Sequence, residues 1–281
     1  FELRDFLDDL YRRFQITDQV LFGDRRPVHR PAVEHAKTLG VRTHVYEEGY
    51  FRPHWVTLER QGVNGHSQLP RDADWFRSVG GCLPDPPEPA VVRCPFHIRA
   101  THDVLYHLAG LANPVMFRHY RTHAPVPAPV EYAGYAIRLP MIRFQHERRD
   151  AGRIRALLDA KNPFYVLPLQ LDSDAQIRDH SRFADMCETI EYVMKSFASH
   201  MAGDACLVIK NHPLSPGLVD YERVVFRAAT RFGVTGRVLY LESGDLELLL
   251  RHARGCVTVN STAGIVALKS GCPTIALSDP V

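Results

Sequence analysis

A doubly wound α/β fold in two lobes is predicted by three observations. Short apolar runs alternate with stretches of helical spacing along most of the chain, the pattern of parallel strands joined by helical crossovers. The 281 residues exceed the ~100–200 of an ordinary single domain. Apolar residues make up 45% and aromatic residues 10% of the sequence, enough to fill cores and too many for a disordered chain.

The elements follow in order. Residues 1–14 carry apolar groups at helical spacing and read as a helix. Residues 19–22 form a short buried strand closed by Gly23-Asp24, 29–39 a helix capped by Gly40, and 42–46 the next strand. Residues 61–97, rich in Gly, Pro and Asp, read as a long surface excursion. A helix over 103–116, a proline-rich break at 125–129 and a basic helical stretch over 132–160 lead to the second lobe. There the expected strands are 165–169, 206–209, 238–241, 256–259 and 274–277, with helices over 183–200, 221–232, 245–251 and 263–270. Gly271 follows the last helix at its C′ position. The lobes divide as 1–158 and 159–281. The chain starts at Phe1 and stops at Val281 just after a strand-like run. Both lobes are therefore expected to be incomplete, the first without its opening strand and loop.

Charge and cysteine usage narrow the function classes. A net charge of +2 gives no electrostatic case for nucleic acid as the main partner. Local arginine clusters at 25–26, 138–155 and 251–254 read first as solvated helix faces. The six cysteines lie far apart with no C-x-x-C pair, which fits a reducing cytoplasm, and Cys206 and Cys256 read as small core residues. No apolar run approaches the ~18 residues of a membrane span.

Four constellations carry candidate chemistry. In 46–59 (YEEGYFRPHWVTLE), Glu47 and Glu48 leave a strand together, Gly49 permits a turn, and Arg52 follows beside Pro53. Adjacent carboxylates raise one another's pKa, which suits a general base or nucleophile, and Arg52 offers a fork for a carboxylate or phosphate. An acidic strand end paired to nearby arginines is the equal alternative. In 208–217 (VIKNHPLSPG), a buried strand ends in Lys210, Asn211 and His212, with Pro213 fixing the turn. Lysine and histidine at such a place can neutralise a phosphate or protonate a leaving group, although a strand-end histidine can equally be structural.

In 257–277, Asn260, Ser261 and Thr262 follow a strand and cap a helix containing Gly264, as an ordinary N-cap or an anion site. In 168–181, Gln170, Asp172, Asp174, Gln176 and Arg178 form either a ligand-facing loop or a set of helix caps, without the spacing of a calcium loop. The 15 histidines make no H-x-x-x-H or H-E-x-x-H pair on a predicted helix, so no zinc centre is expected. A P-loop, a G-x-G-x-x-G fingerprint and a G-x-S-x-G elbow are also missing.

Taken together, the acidic-acidic-Gly turn, His-Pro and Ser-Thr cap resemble the motif series of bacterial CMP-sugar transferases with two Rossmann-like lobes, bacterial sialyltransferases among them. The longer strings are closer to the capsule polysaccharide synthesis family of the KpsS/KpsC type, whose members include β-Kdo transferases. These strings are LFGDxR (21–26), EEGYxRPxxxTLE (47–59), GVNGxS (62–67), PLQ (168–170), the His-Pro turn and NSTxG (260–264). They run over nearly all of the chain, and the second is the most specific. Among the family's branches the chain looks more like the single-module one than the duplicated one, which reads closer to EDGF at the acidic turn.

The resemblance implies a GT-B architecture, with CMP-Kdo held mainly by the second lobe and the acceptor facing the first. It implies a retaining transfer of Kdo to a phosphatidylglycerol-type lipid or growing Kdo linker, without metal or other cofactor. Carried over by position, Glu48 becomes the nucleophile or charge stabiliser and Glu47 its partner, while His212 and Lys210 face the CMP phosphate. Ser261 and Thr262 contact phosphate or cytidine, and Gln170 lines the donor side. Asp24, Arg25, Asn211, Pro213, Asn260 and Gly264 complete the substrate-binding set, and Arg52 holds the Kdo carboxylate. The expected place is cytoplasmic, peripheral to the inner membrane and its capsule machinery. Family members open with a Gly-Pro-rich strand and loop that this chain does not show. A GT-B-like sugar-nucleotide epimerase and a non-enzymatic capsule-export component stay open as alternatives.

Overall fold

In the computed structural model, which describes residues 3–49, 51, 54–88, 95–119, 125–201 and 203–278, the chain divides into units Phe1–His123 and Ala124–Val281. The first contains α1 (Leu3–Arg13), β1 (Asp18–Phe22), α2 (His29–Thr38), β2 (Arg42–Glu48), β3 (Val56–Arg60), α3 (Ala73–Cys82), α4 (Phe96–Ala109) and α5 (Asn113–Met116). β1 and β2 pair in parallel from Asp18↔Arg42 to Phe22↔Tyr46. The helix between them packs on α1 through a small core of Tyr11, Ala36 and Val41. Gln19 ties this layer to the sheet, its amide donating to the Ala32 carbonyl at 3.3 Å and to Thr43 Oγ1 at 2.7 Å. Gly40, at φ +72°, closes α2 in the left-handed conformation expected of a C′ residue.

The first unit departs from the sequence reading around β2–β3, in α3 and at α4, which starts at Phe96 rather than at 103. β2 runs on through Glu48, and β3 returns antiparallel along it, from His44↔Arg60 to Glu48↔Val56. Within 61–88, Gly62, Val63 and Asn64 are buried where the composition predicts a surface excursion, and the stretch contains α3, whose N-terminus is capped by Asp72 accepting from the Asp74 amide at 2.9 Å. That helix buries no residue fully.

The second unit begins with α6 (Ala128–Met141) and α7 (Glu147–Ala160). Pro140 lies inside α6 and cannot donate to the helical ladder. A wider π-type turn over Ile142–His146 follows, the local loosening that an interior proline invites. Then come β4 (Phe164–Pro168), α8 (Ala175–Arg178), α9 (Met186–His200), β5 (Cys206–Lys210), α10 (Tyr221–Arg231), β6 (Val238–Leu241), α11 (Leu246–His252), β7 (Gly255–Thr258), α12 (Ala263–Lys269) and β8 (Thr274–Ala276).

The five strands of the second unit are all parallel, in the order β6-β5-β4-β7-β8. The inner strands β4, β5 and β7 read as nearly continuous apolar runs because both faces are covered, while the edge strand β8 is largely exposed. On one face Leu167, Leu207, Ile209 and Tyr240 pack against Ile190, Met194 and Phe197 of α9 and Val225 and Ala229 of α10. On the other, Phe164, Val166, Val208, Leu241 and Cys256 meet Ile154, Leu249, Leu250 and Ala267. Each fully buried Leu, Ile or Met here stabilises by about 1.5–3 kcal/mol. Burial also pushes the Cys256 thiol up to about 12, as expected of an inert core cysteine.

The division at His123/Ala124 differs from the 158/159 boundary read from the sequence, which falls inside α7. The cause is that α7 forms part of the second core through Ile154. Asp150 of the same helix, fully buried, accepts from the backbone amides of Glu242 at 2.8 Å and Ser243 at 3.0 Å.

Candidate functional site

Strand order places the candidate site of the second unit. The chain builds β4, β5 and β6 outward in one direction, then crosses back to set β7 and β8 on the other side of β4. Ligands of doubly wound sheets gather beyond the carboxyl ends of the strands where this reversal occurs. Between β4 and β7 the ladder spans only Tyr165↔Gly255 and Val166↔Cys256, although both strands run on, so they splay toward their carboxyl ends. Gln170 and Asn260 bridge the gap: Gln170 Nε2 donates to Asn260 Oδ1 at 3.0 Å, and the Asn260 amide donates to Gln170 Oε1 at 3.2 Å. Asn260 Nδ2 donates onward to the carbonyls of Gln176 and His180 at 2.8 and 3.2 Å. Both side chains are buried and their amides are committed to holding the floor of the crevice.

In the 168–181 loop, Asp174 and Asp172 are both engaged at helix starts. Asp174 accepts from the Gln176 amide at 3.0 Å at the start of α8. Asp172 accepts from the Met186 amide at 2.8 Å and from the Tyr221 hydroxyl at 2.6 Å, joining the starts of α9 and α10.

Lys210, Asn211 and His212 lie at the carboxyl end of β5, beside Gln170's strand. Lys210 is buried at 7% exposure, and its ammonium donates to the Asn211 carbonyl at 3.4 Å. Burial, reinforced by the charge of Arg138, pushes its pKa below the usual lysine range against the pull of Asp150, Asp245 and Glu242. Asn211 donates to Glu242 Oε2 at 3.0 Å and accepts from the His212 amide at 2.8 Å. His212 Nδ1 accepts from the Leu214 amide at 3.1 Å. Neutral His212 therefore carries its proton on Nε2, and Pro213 fixes the chain between these two bonding partners.

Arg138 of α6, which the sequence reading left among solvated arginines, proves to be the support of this turn. It is 7% exposed. Its guanidinium donates to the carbonyls of Pro213 at 3.1 Å, Ser215 at 2.7 Å and His212 at 3.2 Å, and to Glu242 Oε2 at 2.8 Å. Tyr135 donates to the Leu214 carbonyl at 3.0 Å. Gly134 lets the helix approach closely, since a Cβ there would lie 2.3 Å from the Pro216 carbonyl oxygen. Glu242 answers Arg138; burial works to raise its pKa, but hydrogen bonds from Tyr240, Arg138 and Asn211 outweigh it and hold the carboxyl below the usual range. An arginine followed two positions later by a helix-interior proline was the signal available for a special role of this segment.

At the third strand end, Ser261 and not Thr262 supplies the cap. Ser261 Oγ accepts from the Ala263 amide at 3.1 Å, and the Ser261 amide donates to Thr258 Oγ1 at 3.2 Å. Thr262 makes no side-chain capping bond to α12. Gly264 acts through packing: a Cβ there would meet Thr258 Cγ2 at 3.1 Å and Thr274 Cγ2 at 3.5 Å.

In the first unit, several motif strings converge on the end of the β1–β2 pair. Gly23, at φ +70°, turns the chain out of β1 so that Asp24 is buried. Asp24 Oδ2 lies 2.9 Å from His66 Nδ1, and Arg25 Nη2 contacts His66 Nε2. A guanidinium only donates, so His66 accepts at Nε2. Ser67 donates to Glu59, linking GVNGxS to the TLE end of the acidic string. A Cβ on Gly62 would lie 2.6 Å from His66 Cβ.

Glu47 and Glu48 do not face one another, because both belong to β2 and successive strand residues point to opposite faces. Glu47 is half-buried; its Oε1 accepts from the Glu48 amide at 3.2 Å, and its Oε2 lies 3.2 Å from where a Gly23 Cβ would be. Glu48 is exposed. Past the end of β2, the Gly49 amide donates to the Trp55 carbonyl at 2.8 Å. A Cβ at Gly49 would sit 2.6 Å from that backbone. Arg52, with Tyr50 and Pro53, lies outside the described residues.

The His212 environment makes one pH-dependent prediction. Burial, with Lys210 and Arg138 nearby, holds its pKa below the ordinary 6.5, so below that pH the unfolded chain binds the proton that the folded chain refuses. Its stability contribution is complete above pH 6.5 and is lost as pH falls toward the lower folded value. A His212→Asn chain keeps an acceptor for the Leu214 amide, and its thermal midpoint is expected to fall less than the wild type's between neutral and mildly acidic pH. Parallel curves for the two chains would contradict this.

Comparison with known proteins agrees with this assembly of motifs. The family model described as "Capsule polysaccharide biosynthesis protein" matches residues 17–281. The chain is 36% identical over 272 residues to the capsule polysaccharide export protein KpsS of Escherichia coli, covering 95% of this chain and 68% of the relative. It is 33% identical over 275 residues to the capsule polysaccharide modification protein LipB of Neisseria meningitidis serogroup B, covering 96% and 65%. It thus spans about two thirds of the length of these relatives. Among solved structures, KpsC of Thermosulfurimonas dismutans, a β-Kdo 2,7 transferase, matches the whole chain and 71% of its own length, with a TM-score of 0.50 at 14% identity, a likeness of fold. The matched span contains both motif clusters, and the chain belongs to the capsule polysaccharide biosynthesis protein family.

Proposed function

We propose that the chain is a retaining glycosyltransferase of GT-B type that moves Kdo from CMP-Kdo to a phosphatidylglycerol-type lipid or a growing Kdo linker. The carrying observation is the convergence of Lys210, His212 and Ser261 on the carboxyl ends of β5 and β7, on either side of β4, where the strand order reverses. In this reading the second unit holds the donor. The Lys210 ammonium and His212 Nε2–H offer two donors to the CMP phosphate, and no metal or other cofactor is called for.

In the first unit, Glu47 braces the start of the acidic turn and Glu48 is presented outward as the carboxylate that takes the sugar. Retention then follows from two displacements: Glu48 displaces CMP to form a glycosyl-enzyme ester, and an acceptor hydroxyl displaces Glu48 while losing its proton. The fold likeness to a β-Kdo transferase supports this reading.

The word "export" in the name of the Escherichia coli relative favours a second reading, a capsule-export component without catalysis. Incubation with CMP-Kdo and a short-chain phosphatidylglycerol analogue separates the two. The transferase reading expects a glycolipid mass shift and a CMP-dependent rise in thermal midpoint. Neither product nor thermal shift would sink it and leave the export reading.

A further inference from the structure

The second displacement leaves one requirement unmet. An acceptor hydroxyl is a weak nucleophile until a base takes its proton, and Glu48, esterified to the sugar at that moment, cannot be that base. His29, the first residue of α2, has the features of one.

Its Nδ1 lies 3.0 Å from the Phe22 carbonyl oxygen and 2.9 Å from that of Gly23. A carbonyl only accepts, so Nδ1 carries the proton and the neutral ring has its lone pair on Nε2. The ring is half-buried. Among the described residues both of its hydrogen bonds are made by Nδ1, so Nε2 is left unspent.

The same anchor places this ring beside the acidic turn. The Gly23 amide donates to the Tyr46 carbonyl at 2.9 Å, two residues before Glu48, and Glu47 Oε2 lies 3.2 Å from the place of a Gly23 Cβ. Gly23 thus holds His29 with its carbonyl and β2 with its amide. Two other motif histidines differ. His66 has its Nε2 taken by Arg25, and His212 has the opposite tautomer, a donor at Nε2.

We infer that His29 is the general base of the second displacement. The acceptor oxygen bonds to the anomeric carbon of the sugar. The bond from that carbon to Glu48 breaks, its electron pair returning to the carboxylate, and the acceptor proton passes to His29 Nε2. The imidazolium that forms keeps its Nδ1–H on two carbonyls, hydrogen bonds that strengthen with the charge, and it gives a proton to water before the next turnover. This assignment rests on the transferase reading.

A His29→Asn chain keeps an N–H for the two carbonyls and withdraws the base. With CMP-Kdo and a lipid acceptor, its steady-state transfer is expected to fall by about a hundredfold or more. The first displacement needs no base, so rapid-quench kinetics should show a stoichiometric burst of CMP, and mass spectrometry an accumulated Kdo adduct. A His29→Ala chain is expected to recover transfer with added imidazole, which a purely structural loss would not allow. Transfer at the wild-type rate by His29→Asn overturns the inference. So does a loss in which CMP release and transfer fall together with no adduct. If the wild type transfers no Kdo, the transferase reading falls and this assignment with it; wild-type transfer beside an unimpaired variant removes this assignment alone.

Discussion

A Glu48→Gln chain is expected to keep its fold and its CMP affinity while Kdo transfer falls by about a thousandfold or more. The substitution is nearly isosteric, and Glu48 is exposed at the end of β2, so no packing is lost. An amide cannot take the sugar and leave again as a carboxylate does, so the loss should fall on turnover. Glu47→Gln makes the contrast. Its Oε1 accepts from the Glu48 amide, a role that a glutamine carbonyl can keep, so a much smaller loss is expected. Initial rates with CMP-Kdo and a lipid acceptor compare the two chains, and mass spectrometry of a trapped Kdo adduct locates the nucleophile. A fully active Glu48→Gln chain refutes the assignment, and a Glu47→Gln chain that alone is inactive exchanges the two roles.

The second unit was largely legible in the sequence because its strands are buried on both faces. Runs such as FYVLP and CLVIK leave little choice of element, and the observed ends differ from the expected ones by a residue or two. The first unit was less so. β3 (Val56–Arg60) turns Val56 and Leu58 outward and half-buries Thr57 and Glu59, inverting the apolar-in alternation by which a two-faced strand is recognised. That inversion hid the hairpin, and with it the extension of β2 through Glu48 that sends the two carboxylates to opposite faces. The motif strings do come together in space, since Gly23-Asp24, Glu47, Glu59 and His66 lie in one region of the first unit. Single residues within a string were harder to rank: Ser261 and Thr262 look equivalent as caps, and only the backbone geometry selects Ser261. Arg138 was illegible for a different reason. Its partners are backbone carbonyls and one carboxylate far along the chain, and periodicity reports none of these.

Removal of Arg138 is expected to have the largest effect on stability. Arg138→Met keeps the length of the stem but withdraws four hydrogen bonds at once. The carbonyls of His212, Pro213 and Ser215 lose a donor, and Glu242 keeps only Asn211 and Tyr240 as side-chain donors. Breaking one side of a buried ion pair costs about 3–5 kcal/mol. Arg138→Lys should recover only part of this, because one ammonium cannot reproduce a planar fork that reaches three carbonyls and a carboxylate together. The double variant Arg138→Met, Glu242→Gln distinguishes a stranded charge from a lost scaffold. If the stranded Glu242 carboxylate dominates, the second substitution recovers stability; if the three carbonyls dominate, it does not. Chemical denaturation of the three chains measures this. A loss under about 1 kcal/mol for Arg138→Met, within the range of an exposed ion pair, would show that the arginine does not hold the turn. The same chains report on the site, because His212 is placed by a turn whose carbonyls Arg138 binds. CMP affinity should fall in Arg138→Met even at temperatures where the chain is fully folded, which a purely global destabilisation would not produce.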